Sequence, residues 1–240
     1  RPPYAGYDTG EFVGTSLLGV DESSIAHIPG IVRVVVSGDF IGIVAMREEQ
    51  AAKAAKELQV SWKPWQHLLP DMSDVEQAIR DNPHVQRVVL DKGNVDEALS
   101  NASERMARKY LWPYQIHGSI GPSCGLADYS EDSIRIWSGT QNPHMLRADI
   151  AWLLEYPEEK IEIIRMEAAG CYGRNCADDV CADAVLLSKA VGRPVRVQLT
   201  REQEHAWEPK GTAQLMEVDG GLTREGDIAG YDFTTSYPSN

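Results

Sequence analysis

The sequence predicts an α+β protein, and three observations carry that prediction. Val- and Ile-rich runs with strand character recur along the chain, as in "GIVRVVVSGDFIGIVAM" at 30–46. Helical patterns with their own start and stop signals lie between them, as in "NPHMLRADIAWLLEY". The 240 residues are enough to bury a sizeable core in one large or two small domains.

The elements follow in order. Residues 30–46 read as two strands joined by a Ser-Gly-Asp turn. Residues 47–62 read as a helix, with Ala52, Ala55 and Leu58 on one face, running into a short strand. "PDMSDVEQAIRDNP" offers Ser73 as an N-cap and Pro83 as a stop, and "NVDEALSNASERMARKY" gives another amphipathic helix. "CGLADYSEDSIRIWSG" at 124–139 reads as a hairpin turning at Ser130, Glu131 and Asp132. Asn142 and Pro143 open the next helix at N-cap and N1. "KIEIIRM" alternates as a half-buried strand. A helix then runs to Val191, stops at Gly192 and gives way to "PVRVQLT" and two closing strands. This divides the chain into a small α+β domain at 1–65, a polar helical connection at 66–108 and a richer α+β domain at 109–240. The missing initiator Met and the abrupt start read as a piece of something longer.

Composition excludes several functions. Asp and Glu outnumber Lys and Arg by 36 to 23, which argues against a nucleic-acid or anionic-membrane binder, since either needs a basic face. No apolar run approaches the roughly 20 residues of a membrane span, and no targeting segment is visible. The compartment, cytoplasmic or periplasmic, stays open.

The chemistry concentrates in "MEAAGCYGRNCADDVCADAVLL" at 166–187. Gly170, Cys171, Tyr172 and Gly173 form a corner ahead of a helix for which Asn175 is a candidate N-cap. Asp178 and Asp179 fall in its first turn, where they complement the helix dipole. Those aspartates disfavour a bare phosphate, so a neutral hydrogen-bonding ligand fits better. The residues alone also describe a plain strand-to-helix turn. Cys171, Cys176 and Cys181 are spaced like neither a zinc knuckle nor an iron–sulfur run, so no metal site is expected from them. Gln115 and His117, two apart, would share a side of an extended segment and could orient a ligand, or the His could be structural. His144 reads as structural, and Arg147 as solvated or paired with Glu. No nucleophile elbow, phosphate loop or zinc-protease helix is present.

The order of these pieces resembles a known family. "PGIVRVVVSGDFIGIVAMREEQAAKAAKELQVSW" resembles the hammerhead-type domain of the xanthine dehydrogenase and aldehyde oxidase family of molybdenum hydroxylases. "YQIHGSIGPSCGLADY", "GTQNPH" and "VGRPVRVQLTREQEH" resemble the opening part of its mixed α+β molybdopterin-binding domain. The likeness is greatest to large subunits of the isoquinoline oxidoreductase, nicotinate dehydrogenase and membrane-bound aldehyde dehydrogenase type. It implies hydroxylation of small aldehydes or N-heteroaromatics with water-derived oxygen. It implies molybdopterin, or molybdopterin cytosine dinucleotide, in a full-length parent. Electrons would leave through an iron–sulfur subunit and a cytochrome c subunit, with no cluster in this chain. Gln115 stands at the family's position near the metal's oxo or sulfido ligand, and Gly170, Cys171, Tyr172 and Gly173 at its cofactor-approaching segment. Two positions depart from the pattern. Gly121 stands where the family often has an acidic residue, and Ala169 and Cys171 flank Gly170 where some members have glycines. The family's base, a Glu in a Gly-Glu-Pro context, is expected beyond Asn240, so the isolated segment is expected to be inactive. The alternative is a non-catalytic binding or assembly module.

Overall fold

The computed structural model describes residues 16–63 and 72–238, leaving out the side chains of Cys176 and Trp207. It is an α+β protein, as the sequence predicts. In chain order the elements are β1 (Leu17–Asp21), β2 (Ile31–Ser37), β3 (Phe40–Ala45), α1 (Glu48–Glu57), β4 (Gln59–Trp62), α2 (Val75–Asp81), α3 (Val95–Ser100), β5 (Glu104–Trp112), β6 (Cys124–Tyr129), β7 (Ile134–Ser138), α4 (Pro143–Leu154), β8 (Ile161–Arg165), α5 (Asp179–Val191), β9 (Val195–Gln198), α6 (Arg201–Trp207), β10 (Gln214–Leu222) and β11 (Ile228–Ser236). Among the described residues no helix is long and apolar enough to cross a membrane.

The chain's contacts divide it into two units that interleave in sequence. One contains 72–115 and 210–238. Its sheet runs β11-β10-β5, all antiparallel, with Leu215 opposite Leu111 and Val218 opposite Phe233. The helices α2 and α3 lie on one face, held by Arg80 to Glu217 at 2.8 Å, by Lys109 to Glu76 at 2.7 Å and by buried Leu99. Tyr231 and Phe233 stack at 6.4 Å on the other face, beside exposed Tyr110 and Trp112.

The second unit contains 16–63 and 116–209. Its main sheet has the order β8-β7-β6-β9, with β7 and β8 parallel and the other pairs antiparallel. Alternation puts Ala127, Ile134, Ile136 and Ile161 on one face, where Leu146 and Ile150 of α4 and Val180, Ala184 and Val185 of α5 close the core over them. The β2–β3 hairpin also meets α5: the Arg33 guanidinium donates to the Ala190 carbonyl. A smaller core of Ile25, Ile28 and Ala54 lies under α1.

Local details correct several expectations. The buried side of α1 carries Ala54 while Ala52 and Ala55 are exposed, a shift of one position in the helical phase. Asp74, not Ser73, caps α2, by accepting from the Gln77 amide at 3.0 Å. The helix expected over 94–110 stops at Ser100, and Glu104–Trp112 is drawn into the β10 ladder. There cross-strand pairing outweighs helix propensity.

Residues 82–93 carry no helix or strand and are exposed throughout, Val85 at 96 % and Val89 at 89 %. We propose that this stretch is the part of its unit most open to proteolysis. Limited trypsin treatment should cut first at Arg87 or Lys92; first cuts inside 124–200 would contradict it.

Candidate functional site

The corner begins where β8 ends. The Met166 amide extends the ladder to the Ser138 carbonyl at 2.8 Å, and Gly121 N–H then ties the Ala169 carbonyl at 3.1 Å. Three residues of the turn take positive φ: Gly170 at 88°, Tyr172 at 54° and Gly173 at 100°. Only glycine adopts such values without steric cost, so the strained member is Tyr172. The glycines also admit close neighbours. A Cβ on Gly170 would stand 3.0 Å from the Tyr172 hydroxyl, and one on Gly173 would stand 3.3 Å from Nε2 and Cδ2 of His117.

Side chains fix the turn. Gln141 Oε1 accepts from Gly173 N–H at 3.1 Å and from the Cys171 thiol at 3.0 Å. Cys171 Sγ accepts from the Asn175 amide at 2.9 Å, its carbonyl from Arg174 N–H at 3.0 Å and from the Ser119 hydroxyl at 3.3 Å. These bonds compensate the strain at Tyr172, whose ring is 62 % exposed.

Beneath the turn lies a buried charged set. The Arg174 side chain is fully buried, with Nε 3.0 Å from Glu204 Oε1 and Nη2 3.0 Å from Asp179 Oδ1. Glu204 is also fully buried and accepts from the amide of Ser123 at 3.2 Å and its hydroxyl at 2.9 Å. Glu204 and Glu208 belong to one helix and its C-cap: Thr200 and Gln203 form a reciprocal capping box that starts α6, and Glu208 caps its end one turn after Glu204. Glu208 Oε1 accepts the His117 amide at 2.9 Å.

Asn175 is not the cap of α5. It sits buried inside a short 3-10 turn at Arg174–Cys176, and Asp178, at φ 47°, occupies the N-cap. Asp178 accepts instead from the Thr140 hydroxyl at 2.5 Å. Burial pushes the Asp178 carboxyl up to about 6, and burial with the nearby Asp179 charge does the same for Asp183. Folded, both hold protons to about pH 6; unfolded, only to about pH 4. The folded state therefore binds more protons in that window, and stability should fall as pH rises from about 4 to about 6. Thermal midpoints across that range check this. Asp178→Asn with Asp183→Asn should raise the midpoint above pH 6 and flatten the slope, and an unchanged slope would refute the assignment.

Of the residues expected at the site, Gly170, Cys171, Tyr172 and Gly173 form one turn. Gln115 falls in the other unit, where it exchanges backbone hydrogen bonds with Gly211 at 3.1 and 2.8 Å. Cys171 sits at the turn, while Cys181 is buried in the core, its thiol pushed by burial up to about 12 and so inert as a nucleophile. The Cys176 side chain lies outside the described residues. Among the described residues no three His, Cys, Asp or Glu are grouped to hold a metal. Arg147 pairs with Glu158 at 3.0 Å on the surface. Sequence reading missed Gln141, Arg174, Glu204 and Glu208; the Thr200-x-x-Gln203 signature was the one local signal that pointed to α6.

Arg174 gives Nε and Nη2 to carboxylates and lies buried with Nη1 unpartnered, so the turn's accessible groups are neutral: the Tyr172 ring and the His117 imidazole. That set suits a flat, uncharged, hydrogen-bonding heterocycle better than a phosphate.

Residues 79–237 match the profile of the molybdopterin cofactor-binding domain. A nicotinate dehydrogenase subunit of Pseudomonas putida is 74% identical over 240 residues, all of this chain and 20% of that protein. A probable xanthine dehydrogenase subunit of Bacillus subtilis is 28% identical over 83% of this chain and 28% of its own length. In structure, quinoline 2-oxidoreductase from Pseudomonas putida 86 superimposes with a TM-score of 0.72 at 17% identity, over 92% of this chain and 34% of that one. The chain thus spans a fifth to a third of the length of these three proteins.

Proposed function

We propose, from the premise that the chain belongs to the molybdopterin cofactor-binding domain family, that it forms one wall of a molybdenum–pterin site in a dehydrogenase acting on N-heteroaromatic compounds. The observation that carries this is the Gly170–Gly173 turn, strained at Tyr172, pinned by Gln141 and presenting neutral hydrogen-bonding groups. A turn that merely joined β8 to α5 would need neither the strain nor the clamp.

The bound cofactor would supply the two-electron oxidation by which water-derived oxygen is placed on carbon. The chain's own part is to bind and orient. The Gly170–Gly173 segment would lie along the pterin edge. Tyr172, held at positive φ, would help exclude water. We assign the catalytic base and the remaining walls to parts of the protein outside these 240 residues, and electron exit to an iron–sulfur partner, with a cytochrome c subunit as the further acceptor. Nicotinate heads the substrate candidates because the nicotinate dehydrogenase of Pseudomonas putida shares this segment at 74% identity; small aldehydes come after it.

The test is direct. The full-length protein with its partners should carry molybdenum and pterin and oxidise nicotinate with an artificial electron acceptor, benzaldehyde and xanthine serving as comparison substrates. The isolated 240-residue chain should retain no cofactor and turn over nothing. A full-length protein free of molybdenum would overturn the reading.

A further inference from the structure

We infer that His117 is a hydrogen-bonding contact of the corner and that Glu208 is the residue that orients it; this rests on the cofactor-wall reading above. The imidazole lies against Gly173, its Nε2 and Cδ2 each 3.3 Å from where a Cβ would stand. The far side of the ring is different. Nδ1 is buried without a hydrogen-bond partner and stands 3.9 Å from Oε1 of Glu208, a fully buried carboxylate. The same oxygen takes the His117 backbone N–H at 2.9 Å. Glu208 therefore fixes His117 through its main chain and faces its ring. Arg174 Nε, 4.0 Å from Glu208 Oε2, and the neighbouring Glu204 and Asp179 keep that carboxylate in a closed charged set.

The consequence is a choice of tautomer. A carboxylate on the Nδ1 side favours the ring proton there, which leaves the lone pair on Nε2, the atom at Gly173. A lone pair at the corner recognises an N–H donor, and a pterin carries such donors on its amino edge. His117 would then place an acceptor at the turn, where the N–H groups of Gly173, Arg174 and Asn175 are already bonded internally.

Three variants of the full-length protein separate this from a purely space-filling ring. His117→Phe keeps the packing on Gly173 and removes both nitrogens. His117→Gln returns a polar group near the Nε2 position, and His117→Asn returns one near Nδ1. Molybdenum by mass spectrometry and pterin by fluorescence after oxidation are read for each, with circular dichroism for folding. We expect the Phe and Asn variants to lose about tenfold or more of the bound cofactor and the Gln variant to stay within about threefold of wild type. Full cofactor in the Phe variant, or equal retention by Gln and Asn, would overturn the inference. Should Phe fail to fold, the two polar variants decide it by their ranking. Wild type tests the cofactor-wall reading separately: cofactor present with the wrong ranking sinks His117 alone, and cofactor absent sinks both.

Discussion

Gly173→Val in the full-length protein should abolish cofactor retention and turnover, while Cys181→Ala leaves both near wild type. At φ 100° the glycine occupies backbone space that a β-branched residue adopts only under strain, at a cost of about 1–3 kcal/mol. The side chain would also start 3.3 Å from the His117 ring, so the imidazole or the turn must move. Movement of the turn breaks the bond from Gly173 N–H to Gln141 and, with it, the bond from the Cys171 thiol to the same oxygen. Strain, collision and lost clamp act at one residue. Cys181 offers the contrast, since it is fully buried yet lies in the core away from the clamp. Truncating it to Ala removes one sulfur, for roughly 1 kcal/mol of packing. Bound molybdenum and turnover for both variants, with circular dichroism as the check on folding, measure the difference. Equal retention would show that the turn's shape does not matter to the site.

The contrast also shows what sequence patterns carry. Elements with their own local signals were legible: the 30–46 hairpin, the Asn142–Pro143 helix start, the half-buried 161–165 strand and the Gly192 stop all appear in the structure. The turn's glycines were legible for the same reason, because positive φ leaves its mark on residue type. Long-range pairing was not. Glu104–Trp112 has helical periodicity but is claimed by β10 from more than a hundred residues away. Asn175 has the chemistry of a cap, yet the buried Ser123 hydroxyl stands 2.8 Å from its side-chain oxygen. Gln141 lies 32 residues before the amide it clamps, and Glu204 lies 30 residues after the arginine it pairs with. Nothing local marks such partners, and they are the ones that hold the turn.

The buried pair gives the second large effect. Arg174→Met preserves much of the side-chain volume but leaves Glu204 and Glu208, both fully buried, without the cation between them. Removing one partner of a buried ion pair typically costs about 3–5 kcal/mol, because the remaining charge has lost its solvation and gained nothing. Asp179, 44 % exposed at the rim of the same set, has water as an alternative partner, so Asp179→Asn should cost under about 1 kcal/mol. The effect should be local as well as global, since Arg174 follows the turn directly and its own amide bonds the Cys171 carbonyl. Hydrogen exchange in the full-length protein reads this out. The amides of 171–181 should exchange about two to three orders of magnitude faster in Arg174→Met than in wild type, and by much less in Asp179→Asn. Adding Glu204→Met to Arg174→Met removes one stranded carboxylate and should recover part of the protection, because an apolar pair of similar volume replaces an ionic one. Arg174→Met exchanging no faster than Asp179→Asn would mean that the turn is held by Gln141 and Cys171 alone, with the charged set beneath it contributing nothing.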